Sequence, residues 1–318
     1  MKAKKIALSD YSKYMVFISI VLVFGVFTIA TPNFMSLYSL QNLMLEVSPL
    51  LLMACGISFV IFTGGIDLGT GAVASCSCVL TGLYISTMGL WIVPLMLVFG
   101  VVMGLVNGLL VTKLKLPSFI VTLCTTNFWA CIALTQAPDG SKAIAMKSRI
   151  LVKWASEPFL GIPVMFYIAL VVVVLLFCLQ KYTVYGRAIM AVGANTKATR
   201  LAGVDTEKAQ LMAFVICSTC SALAGVFYAF KLKSAVPTIG DSLGLMAIAS
   251  VALGGASMAG GRGSVLRTAI GVITIFAVNS GLNMMGVNPL WKDIVIGGIL
   301  IGAVCLNSDM TGRDIIVK

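Results

Sequence analysis

Residues 185–205 read YGRAIMAVGANTKATRLAGVD, a polar stretch in the middle of a chain that is otherwise apolar. Two short helical patterns, Arg187–Val192 and Thr196–Ala202, flank the turn signal Gly193-Ala194-Asn195. Basic residues recur through the surrounding residues 181–208, here called the central polar segment. The segment is too polar to cross a bilayer and too regular for a slack linker. We therefore expect an ordered element that either lies on a membrane surface or inserts into a partner, and we favour the partner.

The composition on either side of this segment predicts an integral membrane protein. The 318 residues are 59% hydrophobic and only 10% charged, whereas soluble domains carry about 25% charged residues. The net charge of +11 comes from basic residues scattered over short loops, which does not indicate a nucleic-acid partner. We predict a single all-α membrane domain over residues 1–318.

About 20 apolar residues are needed to cross the hydrocarbon core, and the chain offers ten such runs. The first lacks the small-residue cleavage site of a signal peptide, so we expect it to be retained. The predicted spans are 14–30, 43–62, 67–86, 92–112, 117–135, 162–180, 209–230, 243–259, 265–284 and 291–307.

The distribution of Lys and Arg predicts that both termini lie in the cytoplasm. With that orientation fifteen basic residues fall inside and seven outside, as the positive-inside rule requires. The central polar segment is then cytoplasmic, and the longest outer loop is 136–161. Two halves of five helices would have opposite topologies, the arrangement of inverted repeats. Residues 64–68, GGIDL, faintly resemble residues 254–258, GGASM.

Residues 63–71, TGGIDLGTG, interrupt the apolar pattern between the second and third spans. Gly64 and Gly65 release the backbone from helical geometry, and Asp67 is one of few acids near membrane depth. Amides at the start of the third span would be the simplest donors to its carboxylate. Asp67 is either an N-cap or part of a broken helix beside a transport path, and both readings can hold together.

A second glycine-dense break, LGGASMAGGRGS at 253–264, contains Gly260, Gly261, Arg262 and Gly263. It lacks the Gly-Lys-Ser/Thr of a phosphate-binding loop. Either a tight cytoplasmic turn or a contact surface for a cytoplasmic partner fits this pattern.

Small and amide residues recur inside the predicted spans. Gly100, Gly104 and Gly108 form a face that lets a neighbouring helix approach closely. Four asparagines either join helices by hydrogen bonds or line a wet cavity, and we list them as candidates for a translocation path: Asn107, Asn127, Asn279 and Asn283.

Enzymatic chemistry is not expected in this chain. It has no histidine, its acids lie mostly in loops, and its nine cysteines fall in apolar runs without a completing metal ligand. We expect buried, reduced thiols, no metal and no cofactor.

Four motifs in this order resemble the membrane permeases of bacterial ABC importers for ribose and related sugars. They are TGGIDLGTG at 63–71, LPSFIVTL at 116–123, YGRAIMAVGANTKATRLAGV at 185–204 and LGGASMAGGRGS at 253–264. The resemblance implies a ten-helix subunit of the bacterial cytoplasmic membrane, which agrees with the charge count.

The same resemblance implies the partners. A second permease copy or a sister permease completes the membrane part, ATPase subunits that bind ATP and Mg dock below, and a periplasmic or lipid-anchored protein delivers the sugar. The family's ATPase-coupling motif falls on Gly186, Arg187, Gly193, Asn195, Arg200 and Gly203. The outer loop 136–161 is richer in lysine and poorer in glycine than the family pattern, which leaves the docking partner and the sugar open.

Two other functions compete with this interpretation. Ten spans with inverted repeats also suit a self-sufficient, ion-coupled sugar carrier, although the intact central polar segment argues against it. A membrane anchor or signalling subunit without conduction is the third alternative, and the asparagines and glycines within the spans argue mildly against that.

Overall fold

The fold is known from a computed structural model that describes residues 8–288 together with 291, 294, 297 and 298; the side chains described begin at residue 16. The predicted span 291–307 therefore lies almost wholly outside the described residues.

Long helices dominate the described part of the chain, and very short strands pair in its loops. The helices are α1 Leu8–Ala30, α2 Leu37–Phe62, α3 Thr70–Met88, α4 Ile92–Thr112, α5 Ser118–Gln136, α6 Ile150–Ser156, α7 Val164–Tyr182, α8 Val184–Ala194, α9 Thr196–Leu201, α10 Thr206–Leu232, α11 Leu243–Leu253 and α12 Val265–Met284. The strands are β1 Lys142–Ala143, β2 Pro158–Phe159, β3 Ile162–Pro163 and β4 Ser234–Ala235. β1 pairs antiparallel with β4, and β2 with β3.

Six helical stretches of the described residues are long and apolar enough to cross a membrane. One of them, Thr70–Thr112, combines α3 and α4, which divide at Gly89 (φ 59°) and pack against each other. Most predicted spans agree with these helices to within a few residues. Among the described residues, two predicted spans have no counterpart among the six: 14–30, whose apolar part Val16–Ala30 is one of the shorter helices, and 243–259, because α11 has only 11 residues. At 1.5 Å per residue that helix is about 16 Å long, too short to cross alone.

α2 and α10 form the centre of the bundle, and α3, α4, α7 and α12 pack around them. The predicted glycine face of α4 is confirmed, since it lies directly against α10. A β-carbon at Gly104 would lie 2.5 Å from Cα of Val215, and one at Gly100 would lie 2.8 Å from Cα of Thr219. The exposed faces of α1, α4, α5 and α7 carry large apolar side chains, as lipid contact requires.

The chain leaves helical geometry between α2 and α3, inside the bundle. Residues 65–69 run alongside α5. The amide of Ile66 donates to Ser118 Oγ (3.1 Å), and the amide of Leu68 donates to Thr122 Oγ1 (3.1 Å). Gly69 lies at the level of Thr125. Since α5 rises about 1.5 Å per residue, α3 begins about 10 Å from the end of the bundle at which α5 begins. We call residues 65–69 the first break.

A second non-helical stretch, residues 236–242, enters from the opposite end and is here called the second break. Just before it, Ala235 lies against Gly82 of α3, and within it Gly240 donates its amide to Ser75 Oγ (2.9 Å) and contacts Gly71. Gly82 and Gly71 are separated by about 16 Å along α3. In place of the predicted span 243–259, residues 236–253 form a non-helical stretch that enters from the outer end and the short helix α11, and residues 254–259 belong to the turn beyond it.

The two breaks occupy corresponding places in the chain. The first follows α2 and leads into α3, whereas the second follows α10, enters from the other end and leads into α11. Residues 64–68 and 254–258, which are faintly similar in sequence, do not occupy corresponding positions in the fold, because 254–258 lies beyond α11 in the turn to α12. The segments in equivalent positions are 65–69 and 236–242.

Loops predicted to share a side of the membrane meet in the structure. At one end, Lys113 after α4 forms an ion pair with Glu207 at the start of α10 (2.9 Å), and Gly193 contacts Gly261. At the other end, Lys142 pairs with Ala235 across β1 and β4. We call these the inner and the outer end of the bundle.

Gly104→Ala should destabilise the subunit, because the added methyl group would collide with the α10 backbone at Val215. We expect a loss on the order of 1–3 kcal/mol, the usual cost of overpacking. Thermal unfolding in detergent measures it. The matched control is Gly25→Ala in α1, where nothing lies within 4 Å, and an equal melting temperature for both variants would contradict the proposed contact.

Candidate functional site

The central polar segment folds as two consecutive capped helices at the inner end. Thr183 caps α8 by accepting the Gly186 amide (3.1 Å), and Asn195 caps α9 by accepting the Ala198 amide (3.0 Å). Thr199 Oγ1 donates back to the Ala191 carbonyl (2.8 Å) and fastens α9 to α8. The two predicted helical patterns are confirmed, and Asn195 has a defined role as the N-cap between them.

Gly193 holds this segment against two other parts of the chain. The amide of Gly261 donates to the carbonyl of Phe62 (2.9 Å) at the end of α2. A β-carbon at Gly193 would lie 1.9 Å from that carbonyl oxygen and 2.4 Å from the Gly261 nitrogen, and one at Gly260 would lie 2.7 Å from the Gly64 nitrogen. We call Phe62, Gly64, Gly193, Gly260 and Gly261 the glycine junction.

The glycine junction explains three of the glycine motifs at once. Gly64, Gly260 and Gly261 have φ of 82°, 91° and 72°, a region that favours glycine, and Gly193 is needed for close approach. Residues 253–264 therefore form the predicted tight turn, which contacts this chain's own central polar segment. A contact with a cytoplasmic partner stays a prediction.

The remaining predicted coupling glycines have separate local roles. A β-carbon at Gly186 would meet the Gln180 carbonyl at 2.2 Å, so α8 can begin directly beneath α7. Gly203 follows α9 with φ 81° and has open space around it. Gln180 itself bridges to the turn, donating to the Gly263 carbonyl (3.1 Å) and accepting the Val265 amide (2.9 Å).

Ion pairs tie the central polar segment to α4. Glu207 contacts Lys113 (2.9 Å) and Arg200 (3.7 Å), and the hydrogen bond that Lys113 donates to the Glu207 carboxylate raises the pKa of Lys113. At the start of α10, the Lys208 amide lowers the pKa of Asp205 by donating to its carboxylate. All these groups are exposed, so they orient the segment more than they stabilise it.

The exposed surface of the central polar segment is partly apolar, which we did not predict from the sequence. Leu201 is 90% exposed, and Val184 and Tyr185 are 70% and 56% exposed. Arg187 lies beside them and donates to the Tyr182 carbonyl (3.4 Å). Apolar and arginine side chains together are typical of a protein contact. The signal was available in the sequence, since Leu201 is a leucine at the end of the mostly polar stretch NTKATRL at 195–201.

The first break surrounds Asp67, which is fully buried. Its Oδ1 accepts the Gly69 amide (2.8 Å), and the Cys217 side chain of α10 lies beside the carboxylate. The N-cap of α3 is Gly69, not Asp67, so Asp67 supports a broken helix rather than a simple cap. Asn107 of α4 is also fully buried, and its Nδ2 lies 3.4 Å from the place of a β-carbon on Gly69.

The other predicted path residues lie apart from Asp67. Asn127 is exposed on α5, and its Nδ2 donates to the Leu123 carbonyl (3.2 Å). Asn283 donates to Asn279 on α12 (3.2 Å). The predicted path residues therefore fall into three separate places. The first break brings together Gly65, Asp67 and Asn107, Asn127 lies on α5, and Asn279 and Asn283 lie on α12.

Two cavities flank the bundle. The outer one, of about 450 Å³, is lined by hydroxyl, amide, aromatic and thioether groups of Asn33, Ser36, Tyr38, Ser39, Asn42, Ser280 and Met284. The inner one, of about 160 Å³, lies below the first break and is lined by Thr63, Gly64, Gly65, Val111, Ser118, Gln210 and Phe214. Neutral hydrogen-bonding walls suit a neutral polar solute.

Within the described residues no cluster of His, Cys, Asp or Glu could hold a metal ion. The cysteine prediction is wrong in part: Cys55, Cys76, Cys78, Cys217 and Cys220 are buried, but Cys124 and Cys131 are exposed on α5.

Gly193→Ala should open the glycine junction, because its methyl group would overlap the Phe62 carbonyl oxygen. We expect amide exchange across residues 254–264 to rise about tenfold, as the Gly261 hydrogen bond loosens. Hydrogen–deuterium exchange measures it. Gly203→Asn is the control, because Asn tolerates positive φ and space is open there; unchanged exchange in both variants would contradict this account.

The comparisons with known proteins agree with this architecture. Residues 39–304 match the family described as branched-chain amino acid transport system / permease component. The ribose import permease of Bacillus subtilis is 35% identical over 92% of this chain and 91% of its own, and that of Haemophilus influenzae is 31% identical over 91% and 90%. The L-arabinose transport permease of Escherichia coli is 30% identical over 92% and 90%. No solved structure matches. The chain belongs to this family of membrane permease components.

Proposed function

We propose that this chain is the membrane permease subunit of an ATP-driven ABC importer for a neutral monosaccharide of the ribose or arabinose type, in the bacterial cytoplasmic membrane. The observation that carries the proposal is that relatives named as ribose and L-arabinose permeases align over about nine-tenths of both chains. The chain performs no catalysis. ATP and Mg would be bound by a separate ATPase.

The topology that we propose has ten crossings with both termini in the cytoplasm. It is supported by the excess of basic residues in the inner segments and by the contacts that gather those segments at one end. α10, the second break and α11 mirror α2, the first break and α3, which supports inverted five-helix repeats. In this scheme α11 and the second break together count as one crossing.

The central polar segment is the proposed seat for the ATPase. It projects from the inner end as a capped pair of short helices, and its exposed Leu201, Tyr185 and Arg187 offer anchors of the kind that dominate protein contacts. Because Gly193 is in backbone contact with Phe62 and Gly261, a push on α8 is transmitted to α2 and to the turn before α12.

The other partners follow from the same proposal. A second permease copy or sister permease would cover part of the exposed helix faces, and a periplasmic or lipid-anchored sugar-binding protein would dock at the outer end. The outer cavity, with its hydroxyl and amide walls, is the proposed entrance for the sugar. Weak, neutral contacts suit a path that must release its solute, while tight recognition resides in the binding protein.

The ion-coupled carrier is not supported, because relatives of this chain are named as import permeases and one as a probable ABC transporter permease. Reconstitution separates the two. The chain with its cognate ATPase and binding protein in proteoliposomes should accumulate labelled ribose or L-arabinose on addition of ATP. Accumulation by the chain alone on a proton gradient would overturn the proposal.

Coupling can be tested at Arg200 and Gly193. Arg200→Glu places a carboxylate beside Glu207 and reverses the charge offered to the ATPase; Gly193→Pro breaks the end of α8. Both should leave membrane insertion intact and lower sugar uptake per ATP hydrolysed about tenfold or more. Uptake and hydrolysis are measured together in proteoliposomes.

The control for Arg200→Glu adds Glu207→Gln, which removes the repulsion within the chain. A defect that persists in the double variant arises at the partner contact, while recovery would assign it to the ion pair. Normal uptake per ATP in both single variants would remove the central polar segment from the mechanism.

A further inference from the structure

The second break places polar, exposed side chains inside the thickness of the bundle. Thr238, Asp241 and Ser242 are all exposed, and the neighbouring Leu245 of α11 is 65% exposed. Yet Gly240, next to Asp241, is in contact with Gly71 near the start of α3, far below the outer end of that helix. A carboxylate and two hydroxyls therefore face outward at a depth where α4 and α5 present apolar surfaces.

Lipid cannot be what covers this surface. Hydrocarbon offers no hydrogen bonds to an ionised carboxylate or to a backbone that has left its helix. Non-helical backbone at membrane depth is found where it is buried in protein or lines a water-filled cavity. The backbone of Gly240 is buried against α3, while the side chains of Asp241 and Ser242 are turned the other way, as in a cavity wall.

The two breaks meet at this depth. A β-carbon at Gly244, in the first turn of α11, would lie 3.4 Å from Thr70 Oγ1 and 3.5 Å from the Gly71 nitrogen in the first turn of α3. The two helices thus bring their N-termini, with their free amides, to one place. Thr70 Oγ1 is fully buried there and has no hydrogen-bond partner among the described residues.

We propose that the second break is the wall of the translocation path that touches the transported solute, with Asp241, Ser242 and Thr238 as its hydrogen-bonding groups. The inference rests on the proposed function and names the part of the permease that meets the sugar. The Asp241 carboxylate would accept hydrogen bonds from two adjacent hydroxyls of a neutral polyol, and the hydroxyls of Ser242 and Thr238 can donate or accept. These groups give a neutral, vicinal diol more contacts than they give an anion.

Cysteine labelling tests whether the surface is wet. The background carries serine in place of Cys124, Cys131, Cys178 and Cys305, and its residual labelling is subtracted. In the assembled complex, Ser242→Cys and Thr238→Cys should react with a small, charged methanethiosulfonate at least about tenfold faster than Val171→Cys, since thiolates form in water and not in hydrocarbon. Val171 is 56% exposed on the apolar helix α7. A saturating concentration of the imported sugar should slow labelling at residue 242.

Uptake tests whether the surface touches sugar. Asp241→Ala should lower the maximal uptake rate about tenfold, while assembly with the ATPase and stimulation of hydrolysis by the sugar-loaded binding protein stay normal. Asp241→Asn, which keeps one acceptor oxygen, should recover part of that loss. Leu232→Ala at the outer end of α10, 41% exposed, is the matched surface control.

The outcomes separate this inference from the proposed function. If the wild-type complex imports a monosaccharide but Ser242→Cys does not react and Asp241→Ala transports normally, the second break is a dry contact with another subunit and the inference is wrong. If labelling and sugar protection appear but uptake needs no ATP, the path stands and the ABC assignment fails.

Discussion

A peptide group that leaves its helix inside a bilayer must find a hydrogen-bond partner within the protein, and much of this bundle is arranged to meet that demand. At the first break the partners are side chains of α5. Ser118 accepts a hydrogen bond from the amide of Ile66, and Thr122 accepts one from the amide of Leu68. At the second break Ser75 of α3 accepts a hydrogen bond from the amide of Gly240. Each break is thus held by hydroxyl groups on a neighbouring long helix, Ser118 and Thr122 of α5 at the first and Ser75 of α3 at the second.

The glycine junction and the first break are consecutive in the chain, which gives the inner surface a short route to membrane depth. Phe62 and Gly64 take part in the junction, and Gly65 begins the break that ends at the N-terminus of α3. Direct backbone contacts transmit a displacement more rigidly than contacts between flexible side chains, because no side-chain rotamer can change to absorb the motion. In the proposed mechanism a movement of α8 would reach α3 through a few peptide units, and α3 contacts Gly240 of the second break.

Most of the fold could be predicted from the sequence, because long apolar runs and basic loops are governed by the bilayer itself. The central polar segment was also predictable, since Asn195 and Thr183 are local caps. What could not be predicted depends on distant contacts. α11 ends early because residues 254–264 must turn back to reach Gly193 and Phe62, and the apolar composition of 243–259 does not reveal that turn. Residues 236–242, VPTIGDS, have the composition of an outer loop, and only their contacts with α3 show that this non-helical stretch enters the bundle.

The two breaks carry similar residues in opposite environments, and this decides which one meets the solute. GIDLG at 65–69 and IGDSLG at 239–244 each place an aspartate just before a helix start. Asp67 is sealed between α3, α4 and α10, with one oxygen committed to the Gly69 amide, so it can shape the break but cannot be reached by a sugar. Asp241 also lies just before a helix start, but its side chain is exposed. If the two halves arose as inverted copies of one unit, the first acid is used for structure and the second for contact with the solute, because α5 covers the first break and none of the described helices covers the side chain of Asp241.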